Sequence, residues 1–186
     1  METVWSPFEV TNSHIKISSQ DYALSCVGKL ETEMEVKRIT KNCAGVTKKT
    51  KIRGTGHGTG TLSLHIPYDL YLKLYGMDGK AKFKSGVGAY GADSVHPTFV
   101  YTAVGKDEEG TEVLIALPCA VVSDGQKWNY ENGTEEVQEI ELAIEILPDD
   151  DEQGMYCIPV SEMPSGMTKN AWLTSFSSST VRVPNA

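Results

Sequence analysis

Polar and apolar residues alternate with period two along much of this chain, and the longest such run is Lys51–Ile66. There Gly54, Gly56, Gly58, Gly60, Leu62, Leu64 and Ile66 share one parity, and Thr55, His57, Thr59, Thr61, Ser63 and His65 share the other. Successive side chains of an extended strand point to opposite faces. The run therefore predicts a long strand with one polar face and one face that begins as bare backbone and ends aliphatic. Four glycines at strand spacing predict a bend, a bulge or a close neighbour. Pro67 then opens a helical pattern with Leu70, Tyr71, Leu74 and Tyr75 on one side. Pro suits a first helical position and Gly76 the residue past the end. A strand feeding a short amphipathic helix predicts a β-rich domain with the helix plugging one side of the sheet.

The same alternation recurs elsewhere. Residues 1–12, with Trp5, Pro7 and Phe8, read as a terminal arm pinned by an aromatic or two, the alternative being an arm that docks on a neighbouring subunit. Ile15–Lys29 reads as a strand pair with Tyr22, Leu24 and Cys26 on one parity and a turn at Gly28-Lys29. Glu31–Thr40 puts Glu31, Glu33, Glu35 and Lys37 on one face and Met34 and Val36 on the other, and Arg38 marks where that strand leaves the core. With a turn at Asn42–Gly45, it forms a hairpin whose arms are expected to face each other with opposite charge. Met77–Pro97 reads as a long contact loop with a strand-like Lys82–Lys84 centre. Thr98–Gly105 and Thr111–Val122 are strands joined by a charged turn, and Pro118 predicts an edge position or a bulge. Glu135–Leu147 alternates strictly, with Ile140, Leu142, Ile144 and Ile146 against Glu139, Glu141 and Glu145, so a strand is preferred to a helix. Gly154–Val160 is a last core strand, Ala171–Phe176 a helical turn, and 177–186 a polar tail with a possible strand at Thr180–Val183. The count of about eight strands and one helix predicts a mainly β domain, 1–186, of antiparallel sandwich or barrel type with one short α-helix packed on it.

At 186 residues the chain suits one domain with a sizeable core. No apolar run approaches a membrane span, and the first residues do not read as a signal peptide, so synthesis in the cytoplasm is expected. The net charge of -8 argues against ordinary nucleic-acid or anionic-membrane affinity. Cys26, Cys43, Cys119 and Cys157 form no CxxC pair and are expected as reduced, mostly buried thiols. His57 and His65 lie about 26 Å apart on one strand face, too far to share a metal, and His14 and His96 lack sequence partners. The GTGHGTG run lacks the Lys-Ser/Thr of a phosphate loop, and no nucleophile or metalloprotease motif appears. The Glu139/Glu141/Glu145 row has glycosidase-like spacing, but three like neighbours on one strand look like a solvated face rather than an acid and base with unlike environments. No catalytic residue, cofactor or metal is expected. Two acidic rows on one surface would repel each other, a cost that a function wanting a negative surface would explain.

An acidic β-domain with one helix, and the phrases FKSGVGAYG…PTFVYTAVGKDEEG, LPCAVVSDG and NGTEEVQEIELAIEILPDDDEQGMY, resemble the tail tube (major tail) proteins of siphophages, in particular those of phages and prophages of Gram-positive hosts. The likeness is best over Lys82–Tyr156; the N-terminal third is similar only in arrangement. The resemblance implies a β-sandwich flanked by a helix, hexameric rings stacked into a tube in the virion tail, and a lumen through which DNA passes without specific binding. Tape measure and tail terminator proteins are the implied partners, and no membrane is involved. It makes Glu139, Glu141 and Glu145, then Glu31, Glu33 and Glu35, candidates for a lumen wall that repels phosphate. Lys48, Lys49, Lys51 and Arg53 of the hairpin, with Lys80, Lys82, Lys84 and Tyr90 of the following loop, become candidates for ring-to-ring contact. The alternative is a non-enzymatic binding module, a virion decoration or carbohydrate-binding domain, using Trp128, Tyr130 and Tyr90 as exposed aromatics. A hydrolase would need a site that the sequence does not offer.

Overall fold

The computed structural model describes residues 5–43, 46–133 and 137–183, with the side chains of 42–43 and 46–48 excluded. The turn expected at Asn42–Gly45 lies partly outside these residues. Eight strands form one antiparallel sheet: β1 (Pro7–Ile17), β2 (Gln20–Leu24), β3 (Val27–Cys43), β4 (Val46–Leu64), β5 (Phe99–Asp107), β6 (Glu112–Val122), β7 (Ile140–Ile146) and β8 (Tyr156–Pro159). Their spatial order is β2-β1-β5-β6-β7-β4-β3, with β8 paired to the start of β6. The mainly antiparallel β architecture is as expected, with two helices rather than one: α1 (Tyr68–Leu74) and α2 (Lys169–Ser175).

The sheet curls so that its two wings share a core. Ile15, Tyr22, Phe99 and Tyr101 from one wing join Leu62, Leu64, Leu142 and Ile144 from the other in a single buried cluster, and β1 lies in contact with β3. The aliphatic parity of β4 and of β7 supplies one wall of that cluster, as alternation requires. Helix α1 plugs it with Leu70, Tyr71, Leu74 and Tyr75, all buried. Pro67 caps this helix rather than occupying its first turn. Gly76, at φ +57°, ends it where a Cβ would lie 2.2 Å from the Val95 carbonyl oxygen. Lys73 ties α1 to β2 through hydrogen bonds donated to Gln20 Oε1 (2.5 Å) and Tyr22 Oη (2.6 Å).

A second, smaller core lies on the outer face of β5, β6 and β8. Val104, Leu114 and Ala116 pack there against Trp172, Leu173 and Phe176 of and just beyond α2. Thr102 Oγ1 donates to the Leu173 carbonyl (2.6 Å) and Trp172 Nε1 to the Ile115 carbonyl (3.2 Å). Thr168 caps α2 by accepting from the Ala171 amide (3.1 Å). Pro118 sits in a register break between Tyr101↔Leu117 and Phe99↔Ala120. β6 also changes partner around that point, from β8 at Val113–Ala116 to β7 at Ala120–Val122. Pro118 thus sits at a bulge, in the gap between the β8 and β7 pairings of β6.

The glycine run of β4 has a packing role. Between Met34↔Gly58 and Val36↔Gly54 the register shifts, and Gly56 takes φ +80°. This bulge meets the turn after β7: a Cβ on Gly154 would sit 2.0 Å from the Gly56 carbonyl oxygen, and Cβ atoms on Gly58 or Gly60 would each sit 2.6 Å from a β3 carbonyl.

Several expectations are corrected. Pro7–Asn12 is not held by its aromatics, since Trp5 and Phe8 are exposed, but by strand pairing, as the first half of β1 alongside β5. Gly28-Lys29 lies inside β3, at a register shift, rather than in a turn; the turn falls at Ser18-Ser19, with Ser18 at φ +54°. Lys82–Lys84 is a turn. Thr180–Val183 forms no strand, since Val181 packs instead on the α2 core. β7 begins at Ile140, and residues 134–136 lie outside the described ones. Cys26 and Cys157 are exposed and Cys119 is half-buried, so burial does not explain these thiols; Cys43 ends β3, its side chain being outside the description.

Two outcomes test this packing. Gly154→Ala should cost about 1–3 kcal/mol of unfolding free energy, whereas Gly54→Ala, with no atom within 4 Å of its Cβ, should stay within about 0.5 kcal/mol, both read by urea denaturation. The second concerns pH. Burial pushes the Tyr101 phenol up to about 12 despite its 2.9 Å hydrogen bond with Ser13, and burial likewise raises Tyr75. An unfolded tyrosine ionises near pH ~10, so the fold favours the protonated form. Stability from this source is intact below pH ~10 and should fall steadily as pH rises toward 12. A melting temperature flat across that range would contradict the burial of these phenols.

Candidate functional site

Among the described residues, no helix packs on the outer face of the β7-β4-β3 wing. Directly opposed residues share a face, so its rungs can be read from the register: Lys29, Ser63 and Glu141; Glu31, Thr61 and Ala143; Glu33, Thr59 and Glu145. Both acidic rows thus lie on one surface, separated by a ladder of hydroxyls on β4. Glu33 and Glu145 flank Thr59 at about 10 Å, two strand spacings. All six candidate glutamates are exposed. Glu139 precedes β7 and lies over the bare backbone of Gly28, where a Cβ would meet its carboxylate at 2.2 Å. Glu31 is held below the ordinary carboxylate range by its hydrogen bond and ion pair with Lys29 (2.5 Å), and Lys29 is raised in turn.

At the opposite end of β4 the two strands outrun the sheet. β7 pairs with β4 only over Gly58–Leu64, and beyond Val36 and Gly54 strands β3 and β4 pair only with each other. Residues 36–41 and 49–54 are all exposed, Val36, Ile39 and Ile52 among them. The expectation of oppositely charged arms is wrong here. Lys37 faces Arg53, Ile39 faces Lys51 and Lys41 faces Lys49 on three rungs of one face. Seven basic residues and no acidic one lie between Val36 and Gly54. Sequence reading missed Lys37, Arg38 and Lys41 because it grouped them with the acidic half of their strand; the absence of any acid from 36 to 54 was the available signal. Lys49, Lys51 and Arg53 thus belong to a cationic ribbon, to which Lys48 belongs by backbone, its side chain being outside the description.

The 76–97 loop divides the remaining candidates. Lys80 is mostly buried and staples the loop, donating to Asp93 Oδ1 (2.6 Å) and Ser94 Oγ (2.7 Å). The hydrogen bond from Lys80 holds the Asp93 carboxyl below its usual range. Lys80 is therefore not a free contact residue, whereas Lys82 and Lys84 are exposed. Tyr90 packs edge-on to Tyr75, 6.4 Å away, and beside His96 at 6.0 Å. It does not share a platform with Trp128 and Tyr130, which meet each other at 6.1 Å. Trp128 instead stacks on Tyr71 (6.3 Å) of α1.

Trp128 and Tyr130 line an open trough of about 710 Å³ at the Ile66–Ile140 end of the wing, with Tyr68, Glu131, Glu139 and Glu141. Tyr71 fixes its floor, donating to the Lys127 carbonyl (2.8 Å) and accepting from Gln126 Nε2 (3.1 Å). Asn129 donates to Gln138 (2.8 Å), and Gln138 to Glu131 (3.3 Å). Among the described residues, no group of three or more His, Cys, Asp and Glu is placed to hold a metal, and no helix is long and apolar enough to cross a membrane. The fold and this surface define an antiparallel β domain with an acidic open face and an unsupported basic ribbon. No protein-family model and no curated protein matches the chain in sequence.

The acidic face makes its own prediction. Glu33→Gln with Glu145→Gln should raise stability by about 0.2–0.5 kcal/mol at low salt. The gain should vanish near physiological ionic strength, where the screening length falls to about 8 Å, below the separation of the two carboxylates. A variant less stable than wild type at every salt concentration would show that these side chains support the fold instead.

Proposed function

We propose that this chain is a structural subunit that assembles with copies of itself into stacked hexameric rings, forming a phage tail tube that conducts DNA. The observation that carries the reading is the division of labour on the β7-β4-β3 wing. One face is left bare and lined with Glu31, Glu33, Glu35 and Glu145, while the strands that build it run on into a ribbon that pairs with no further strand among the described residues. A two-stranded ribbon is marginal on its own, and like charges facing across its rungs weaken it further. Such a ribbon is built for a partner. A carboxylate face turned toward a lumen keeps a polyanion from adhering, with Glu139 and Glu141 at the margin of that face. The virion tail is the corresponding location, and the resemblance names tape measure and tail terminator proteins as further partners.

A second reading, a saccharide-binding module, draws on the trough, where Trp128 and Tyr130 offer stacking surfaces beside amides and carboxylates. Electron microscopy of the purified protein separates the two: rings or tubes support the first, monodisperse monomers that bind glycans the second. Reversing Lys48, Lys49 and Lys51 to Glu should abolish tube growth while leaving a folded subunit by circular dichroism. Normal tubes from that variant would remove the ribbon from the contact.

A further inference from the structure

The ribbon and the trough sit at opposite ends of one strand. The ribbon begins at Gly54 and the trough at Ile66, roughly 40 Å apart along β4. Their chemistry is complementary. The trough carries Glu131, Glu139 and Glu141, and its one lysine, Lys127, is already paired with Asp124; nearby Lys29 is paired with Glu31. The ribbon carries Lys37, Lys41, Lys49, Lys51 and Arg53 on one face, together with Ile39. Exposed aromatic faces attract cations, and Trp128 and Tyr130 are both exposed.

We infer that the trough of one copy receives the cationic ribbon of the next; this rests on the self-assembly reading above. A ribbon cannot reach the trough of its own molecule, because the two lie at opposite ends of the wing. A reciprocal antiparallel pair and a head-to-tail chain both satisfy this contact, and the self-assembly reading selects the head-to-tail arrangement, which propagates rather than closing in pairs. Lysine and arginine heads meet the three carboxylates and the ring faces, while the aliphatic stems and Ile39 cover Trp128 and Tyr130. Charge complementarity of this kind speeds association and sets register, and it weakens with salt.

The test uses the full chain. An arm-reversed variant carries Lys37→Glu, Lys41→Glu, Lys49→Glu, Lys51→Glu and Arg53→Glu, the five cations of the docking face. A trough-reversed variant carries Glu131→Lys, Glu139→Lys and Glu141→Lys. A third, with Gln at the same three trough positions, keeps side-chain shape and serves if the lysines unfold the protein. Sedimentation and electron microscopy at low salt read the outcome. Wild type should assemble, and each reversed variant alone should not. A one-to-one mixture of the two should assemble, since each ribbon then meets a trough of opposite sign. The Gln variant should need at least tenfold more protein to assemble. If the folded trough variants assemble as wild type does, the docking inference is overturned while self-assembly stands. If wild type never associates, both are overturned. Tryptophan fluorescence that responds to a neutral oligosaccharide, with assembly indifferent to the trough changes, assigns the trough to a glycan and also overturns it.

Discussion

A sheet has two faces, and this chain has apolar side chains enough for one and a half of them. The inner face is satisfied by curling: Ile15 and Tyr101 on one wing and Leu62, Leu142 and Ile144 on the other bury each other, with α1 filling the space between. Half of the outer face is covered by Trp172, Leu173 and Phe176. Removing apolar surface from water is the main favourable term in folding, and the remaining half-face has little to remove, Val121 and Ala143 among it. It carries Thr59, Thr61 and Ser63 between two acidic rows, groups that gain by staying hydrated.

That asymmetry organises the rest. Because the β7-β4-β3 wing is held from one side only, β4 must bend over the core while still reaching past it. The bend is made by Gly56 and the bare positions around it, which let the Gly154 turn and the β3 carbonyls approach to distances a side chain would block. Past the bend, no strand or helix of the described residues pairs with β3 or β4. Their exposed valine and isoleucines and their facing cations are costs in an isolated molecule. The acidic face and the basic ribbon are opposite ends of one strongly polarised wing.

The strands of the core were legible because their pattern is redundant. Ile140, Leu142, Ile144 and Ile146 alternate without exception, and Leu62 and Leu64 match them across the sheet. The Pro67–Gly76 helix was legible from its two ends, and Pro118 from its missing amide. Less was legible where pattern and charge are both local. Pro7–Asn12 has too few apolar residues to announce a strand, and its place is set by β5 alongside it. The ribbon's charge pairing depends on a register that shifts at Gly54–Gly58, so no inspection of β3 and β4 separately could have matched Lys37 to Arg53. Tyr90 and Trp128 look equivalent in sequence, yet α1 stands between them.

What the sequence by itself determined is the set of surfaces: which residues of each strand are apolar, which are acidic, and where a backbone of glycines permits close approach. Those follow from side-chain chemistry and a period of two. What only the tertiary structure decided is which surfaces meet. The curl of the sheet, the bulge at Gly56 and the docking of α2 on one half of the outer face bring both glutamate rows to one wall and send seven basic residues out on an unsupported ribbon. The physical reason is that pairing register and burial are properties of two segments together, and a single strand's pattern is compatible with many partners.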